Sequence, residues 1–279
     1  MFTVDSPTNT TMIGKLQKLQ RQQSKGVYMV GTVEKYLLKR IREDGAIHLT
    51  LIDPEKITAS SASCLANKVE AYKTTAIMVG GSTSISTTRL NSIIKAIKRK
   101  VRIPVILFPN NVTGISKYAD AIWFMSLLNS VDPYFIIGAQ VLGAPMVKKY
   151  GLEALPLGYI IVGEGGTAGI VGRAVPIPYT KPELAAVHAL AAQYFGMRFV
   201  YLEAGSGASL PVPSTMIKTV KHAINIPLIV GGGIRSSEQA KTAVMAGADI
   251  VVTGNIIEET GARSKFKELV TTVRENGIV

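Results

Sequence analysis

The chain has 279 residues, 47% hydrophobic and 18% charged, enough apolar side chain for one large α/β core and too little charge for a disordered chain. A single cysteine, Cys64, and three scattered histidines exclude an internal disulfide and a structural zinc site, and they suit a reducing, cytoplasmic compartment. The formal net charge is +12, with nine of the excess charges in residues 1–100. No aromatic-studded nucleic-acid motif accompanies them, so they read as a solvated basic surface, with transient contact to a membrane surface as a further use.

Residues 1–30 are polar and basic and read as a flexible segment ahead of one domain spanning 31–279. No apolar run is long enough for a bilayer, and no cleavable signal pattern is present. Val33, Leu37, Leu38 and Ile41 recur at helical spacing, which predicts an amphipathic helix over 33–42. Apolar runs suited to buried parallel strands follow at 46–52, 76–79, 104–108, 121–125, 158–162, 198–202, 227–230 and 249–252. Helical stretches separate most of them, at 55–72, 85–100, 133–150, 181–196, 213–224, 236–246 and 257–275. Eight strands with intervening helices predict a closed (β/α)8 TIM barrel, with an open doubly wound sheet as the alternative.

Two connections depart from the repeat. Residues 110–120 are too few for a crossover helix, and Asn110, Asn111, Gly114 and Asp120 favour turns. The third helix is therefore expected to be a loop, which uncovers one flank of the barrel as a groove for an extended apolar ligand. Residues 163–180, rich in glycine and ended by Pro176 and Pro178, form a long connection after the fifth strand. Its position fits a substrate lid or an ordered surface loop.

Three glycine-bearing segments end successive strands: Tyr201-Leu202-Glu203-Ala204-Gly205-Ser206-Gly207, then Gly231-Gly232-Gly233-Ile234-Arg235, then Thr253-Gly254-Asn255. Glycine lets backbone N–H groups approach a phosphate, and loops after the last barrel strands are the recurrent phosphate grip. Asp53, in Leu51-Ile52-Asp53-Pro54-Glu55-Lys56, is either a helix cap or a Mg2+ ligand. Gly80-Gly81-Ser82-Thr83-Ser84 is either a capped turn or a partner of Asp53 in holding metal or diphosphate. Glu203 stands among small and apolar residues, where a carboxylate is costly unless ion-paired or used as a base. His48, His188 and His222 receive no chemical role.

Taken together, these segments resemble the geranylgeranylglyceryl phosphate synthase family. Ser126-Leu127-Leu128-Asn129-Ser130 with Asp132-Pro133-Tyr134 adds to the likeness, which spans residues 46–275 in order. The resemblance implies a modified barrel lacking its third helix. It implies a Mg2+-dependent prenyltransferase in which Asp53 and Ser82 hold the metal and Glu203 takes the proton. It also implies that Tyr201, Leu202, Glu203, Ala204, Gly205, Ser206, Gly207, Gly232, Gly233, Gly254 and Asn255 bind sn-glycerol 1-phosphate. The other partner is geranylgeranyl diphosphate, and the product is an ether-lipid precursor. A homo-oligomer, dimer or hexamer, is expected as well. A longer prenyl donor is the alternative within the family, with Trp123, Phe124 and Phe135 as chain-length candidates by size. An isomerase or lyase acting on a phosphorylated metabolite is the alternative outside it.

Overall fold

The computed structural model describes residues 30–81, 85–254 and 263–277. Eight parallel strands close in sequence order: β1 (Ile47–Ile52), β2 (Ala76–Val79), β3 (Val105–Leu107), β4 (Ala121–Leu127), β5 (Glu153–Ile161), β6 (Phe199–Glu203), β7 (Leu228–Gly231) and β8 (Ile250–Thr253). Closure is made by β1 against β8, with Ile47 opposite Ile250 and Thr50 opposite Thr253. The expected barrel is therefore present and the open sheet is excluded.

Alternation along each strand builds two apolar layers. Leu49, Met78, Ile106, Trp123, Leu157, Phe199 and Ile229 fill the interior. Ile52, Ile77, Leu107, Ile160, Val200 and Val230 face the surrounding helices. Those helices are α2 (Ala59–Ala71), α3 (Thr87–Lys98), α4 (Ala139–Tyr150), a short α5 (Gly166–Val171), α6 (Pro182–Tyr194), α7 (Ser214–Ala223), α8 (Ser237–Met245) and α9 (Arg263–Glu275). The leading helix, α1 (Thr32–Asp44), supplies Val33 and Leu37 to the interior layer. It docks at the N-terminal end of the barrel, where the Glu153 carboxylate accepts from Val33 N and Glu34 N, both at 2.8 Å. Glu34 in turn pairs with Arg198 at 2.6 Å.

Between β3 and β4 there is only a single 3-10 turn, Val112–Gly114, so the third helix is absent as the spacing predicts. Asp120 fixes this short return by accepting from Lys98 Nζ at 2.7 Å and from Val105 N at 2.8 Å.

Other boundaries differ from the sequence reading. β5 starts at Glu153 rather than 158, because Ala121–Leu127 of β4 pairs with Glu153 to Tyr159 despite Pro156. The first helix after β1 begins at Ala59, capped by Thr58, whose Oγ1 accepts from Ser61 N. The 133–150 stretch opens with a π-turn, Tyr134–Gly138, and becomes α-helical only at Ala139. The 163–180 connection contains α5 and is tied down: Asn129 Nδ2 donates to Ile161 O and Val175 O at 2.8 Å, and Ser130 Oγ donates to Gly172 O at 2.6 Å. Among the described residues no helix is long and apolar enough to cross a membrane.

Candidate active site

A cavity of about 780 Å3 opens at the C-terminal ends of the strands. One lobe lies over β6, β7 and β8 and is lined by Tyr201, Glu203, Ser206, Gly232, Gly233 and Gly254. Asp53, Lys56 and Gly81 stand at the β1–β2 side. From there it continues past the β3–β4 turn as an apolar trench lined by Val112, Ile115, Phe135 and Val147, and Gly143 packs against Ile115 where α4 meets that turn. The trench occupies the flank that a third helix would have covered.

Glu203 ends β6, and its side chain is buried to 6% exposure. Among the described residues no lysine or arginine forms an ion pair with it. Its Oε1 accepts from Gly205 N at 2.7 Å, and the hydroxyls of Tyr159 and Tyr201 lie beside the carboxylate, where each favours its ionised form. Burial raises its pKa, and the Gly205 N–H and the two tyrosine hydroxyls hold the rise back. Burial likewise drives the Tyr159 and Tyr201 hydroxyls well above their usual range, helped by the neighbouring carboxylate, so both remain donors. The two rings meet edge to face at 5.2 Å, and Phe108 stacks on Tyr201 at 5.7 Å. The sequence reading missed Tyr159, whose only signal is a polar-tipped aromatic in the apolar run that forms the end of β5.

The glycines of the β7 end are required by close approach. A Cβ on Gly231 would lie 2.0 Å from the Tyr201 hydroxyl. One on Gly232, whose φ is +82°, would lie 2.6 Å from Glu203 Oε1. The phosphate-type turns and the carboxylate are thus one packed unit. Leu202 and Ala204 belong to the outer apolar layer, so only their backbone can serve the cavity. Gly205 and Gly207 lie in the turn beyond Glu203, closed by Ala208 N donating to Gly205 O at 3.1 Å. Ser82 and Asn255 lie outside the described residues.

Asp53 is not a helix cap, since Thr58 fills that role. Its Oδ1 accepts from Glu55 N at 3.0 Å, its Oδ2 faces Lys56 Nζ at 3.3 Å, and Gly81 packs against it. The carboxylate therefore sits in the cavity mouth with lone pairs to spare. Among the described residues no group of three or more His, Cys, Asp or Glu side chains gathers as a metal site. His48 stays apart from the chemistry. It is fully buried on the outer face of β1, held by Thr74 Oγ1 at 2.8 Å and Thr253 Oγ1 at 2.9 Å.

Trp123 lies wholly inside the barrel, edge to face with Phe199 at 5.1 Å, and it borders the cavity, as do Phe124 and Phe135.

The sequence profile of the PcrB family matches residues 39–273. The chain is 55% identical to geranylgeranylglyceryl phosphate synthase of Thermofilum pendens over 251 residues, covering 90% of this chain and 98% of that one. It is 57% identical to the protein of that name from Pyrococcus furiosus, over 86% of this chain and 97% of that one. Its fold matches the crystal structure of (S)-3-O-geranylgeranylglyceryl phosphate synthase from Thermoplasma acidophilum in complex with the substrate sn-glycerol-1-phosphate. The TM-score is 0.83 at 41% identity, covering 88% of this chain and all of that one.

Proposed function

The chain belongs to the PcrB family, and from that premise and the cavity's geometry we propose that it is a prenyltransferase acting on sn-glycerol 1-phosphate and geranylgeranyl diphosphate. The observation that carries this reading is one continuous cavity that joins a buried carboxylate and its glycine turns to an apolar trench. The phosphate end of the acceptor takes the lobe over β6, β7 and β8. The prenyl chain takes the trench, where each buried CH2 contributes about 0.8 kcal/mol.

The bond between C1 of the donor and its diphosphate oxygen breaks, and an ether bond forms between C1 and the 3-hydroxyl oxygen of the acceptor. Glu203 accepts the hydroxyl proton. Its raised pKa makes it a stronger base than a solvated carboxylate, and the Gly205 N–H with the two tyrosine hydroxyls favours the ionised form that accepts a proton. Tyr159 and Tyr201, buried beside it, exclude water that would otherwise capture the electrophilic carbon. Holding both substrates in one cavity replaces a bimolecular encounter with a positioned one.

The donor set at Asp53 fits Mg2+, which takes one or two carboxylates and fills its remaining positions with phosphate oxygens and water. When bound there, the ion would neutralise charge on the departing diphosphate. A cytoplasmic setting and a homo-oligomeric assembly complete the reading. They are supported by the single cysteine and by exposed apolar side chains on α6 such as Val187 and Tyr194.

The test is ether formation from radiolabelled sn-glycerol 1-phosphate and geranylgeranyl diphosphate, with Mg2+ or with EDTA. Metal-dependent product is expected, and Glu203→Gln should lower turnover by roughly 10²–10⁴-fold while acceptor binding persists. Folded protein that yields no product with any prenyl donor would overturn the proposal.

A further inference from the structure

The turn that follows Glu203 is closed by its own backbone, with Ala208 N donating to Gly205 O at 3.1 Å, and its middle carries no side chain that packs. Gly207 has φ +79°, and a Cβ there would meet nothing within 4 Å, so no side-chain packing fixes this peptide. Free in solution, such a turn samples many conformations, and ordering it on ligand arrival would weaken binding.

Arg235 supplies the missing constraint. It lies two residues beyond Gly233, in the connection between β7 and α8, and its own N–H donates to Gln239 Oε1 at 2.7 Å. From there its Nη2 donates to two successive carbonyls of the neighbouring turn, Gly207 O at 3.1 Å and Ala208 O at 3.0 Å. One nitrogen with two hydrogens thus takes up two adjacent acceptors. A carbonyl oxygen turned towards an anion repels it, so holding two carbonyls on a guanidinium takes them away from a phosphate lobe. Arg235 also lines the cavity, which places this bridge at the edge of the acceptor lobe rather than on a remote surface. On its opposite side the same stretch is tied by Ser209 Oγ, which donates to Glu164 Oε1 at 2.6 Å, and by Tyr179 OH, which donates to Leu210 O at 3.1 Å. Residues 205–210 are therefore braced from both neighbouring connections.

We infer that Arg235 is a positioning residue for the phosphate end of the acceptor, acting through the carbonyls of Gly207 and Ala208 to pre-form the turn. The inference rests on the acceptor assignment proposed above. It assigns to the Gly-Gly-Gly-Ile-Arg segment a role that its glycines do not carry.

The experiment compares wild type, Arg235→Ala and Arg235→Lys by steady-state kinetics and by amide hydrogen exchange without substrate. Arg235→Ala should raise the KM for sn-glycerol 1-phosphate roughly tenfold or more. The KM for the prenyl donor should stay near the wild-type value, and amides of residues 204–212 should exchange faster than in wild type. Arg235→Lys keeps the charge on a flexible stem and should recover only a small part of either effect. Unchanged exchange in residues 204–212 of Arg235→Ala would overturn the inference. So would a full recovery of KM by lysine without recovery of loop protection, because that result would make Arg235 a simple charge for the phosphate. If wild type shows no transfer, the acceptor reading fails on its own. Protection of the loop by inorganic phosphate in wild type, lost in Arg235→Ala, would still support the positioning role, and equal protection in both would refute it.

Discussion

A carboxylate buried beside two phenols is drawn in opposite directions, because desolvation favours its protonated form while each donor favours the ionised one. For Glu203 burial is the larger influence, and the Gly205 N–H, Tyr201 and Tyr159 oppose it. A base must be ionised to act, so activity should fall as pH drops through the Glu203 pKa. Removing one donor leaves burial less opposed and raises that pKa further. Tyr159→Phe should therefore move the acidic limb of the kcat/KM profile to higher pH while the basic limb stays in place. A limb that stays put, or moves to lower pH, would show that Tyr159 does not support the carboxylate. This residue also marks the limit of what the sequence revealed at this scale. Glu203 and Asp53 stood out because a charge at the end of an apolar run requires a reason. Tyr159 did not, since a tyrosine satisfies an apolar pattern equally well whether its hydroxyl is idle or set beside a carboxylate on the neighbouring strand.

At the level of elements, one helix too few determines where a long ligand can lie. The 110–120 spacing was legible because a parallel crossover has a minimum length. The π-turn at Tyr134–Gly138 and the short α5 were not, since both depend on tertiary contacts, such as Ser126 Oγ donating to Ile136 O at 2.7 Å and Ser130 Oγ donating to Gly172 O at 2.6 Å. Gly143 on α4 packs directly on Ile115 at the edge of the trench, and a Cβ there would already approach Ile115 Cδ1 to 3.2 Å. Gly143→Phe should therefore push Ile115 aside and narrow the trench. Turnover of a C20 donor should fall about tenfold relative to a C10 donor, whose chain carries roughly ten fewer buried carbons. Equal losses with both donors would place the prenyl chain elsewhere.

The same scale holds the His48 network, which joins β1, the start of β2 and β8 through Thr74 and Thr253. Burial lowers the His48 pKa from 6.5 to about 3, so between those values the unfolded chain binds a proton that the fold excludes. Stability should then decline as pH falls from about 6.5 towards 3, with this residue adding up to about 1.4 kcal/mol per pH unit. Denaturation of His48→Gln across that window should show a shallower slope, and an identical slope would remove His48 from the account.

Over the whole molecule, the alternation of strand and helix made the barrel readable before any contact was known, because eight parallel strands with short returns have few ways to bury their edges. What that pattern could not carry was which outer faces stay uncovered, since a helix apolar on more than one side reads simply as buried. α6 is such a helix: Ala185, Ala189 and Ala192 face the barrel, yet Leu184, Val187 and Tyr194 are exposed, and Phe195 just beyond it is 78% exposed. Small alanines let this helix pack close to the barrel, while the bulky residues on its far side form an apolar stripe of the kind that marks an interface. A second copy of the chain is the partner that would be present wherever the protein is made. Light scattering should then report a mass at least twice the 29.8 kDa of one chain. Replacing both Tyr194 and Phe195 by Asp should reduce that mass while circular dichroism and turnover per folded site persist. A wild-type mass of a single chain would refute self-association, and an unchanged oligomer in the double variant would move the interface away from α6.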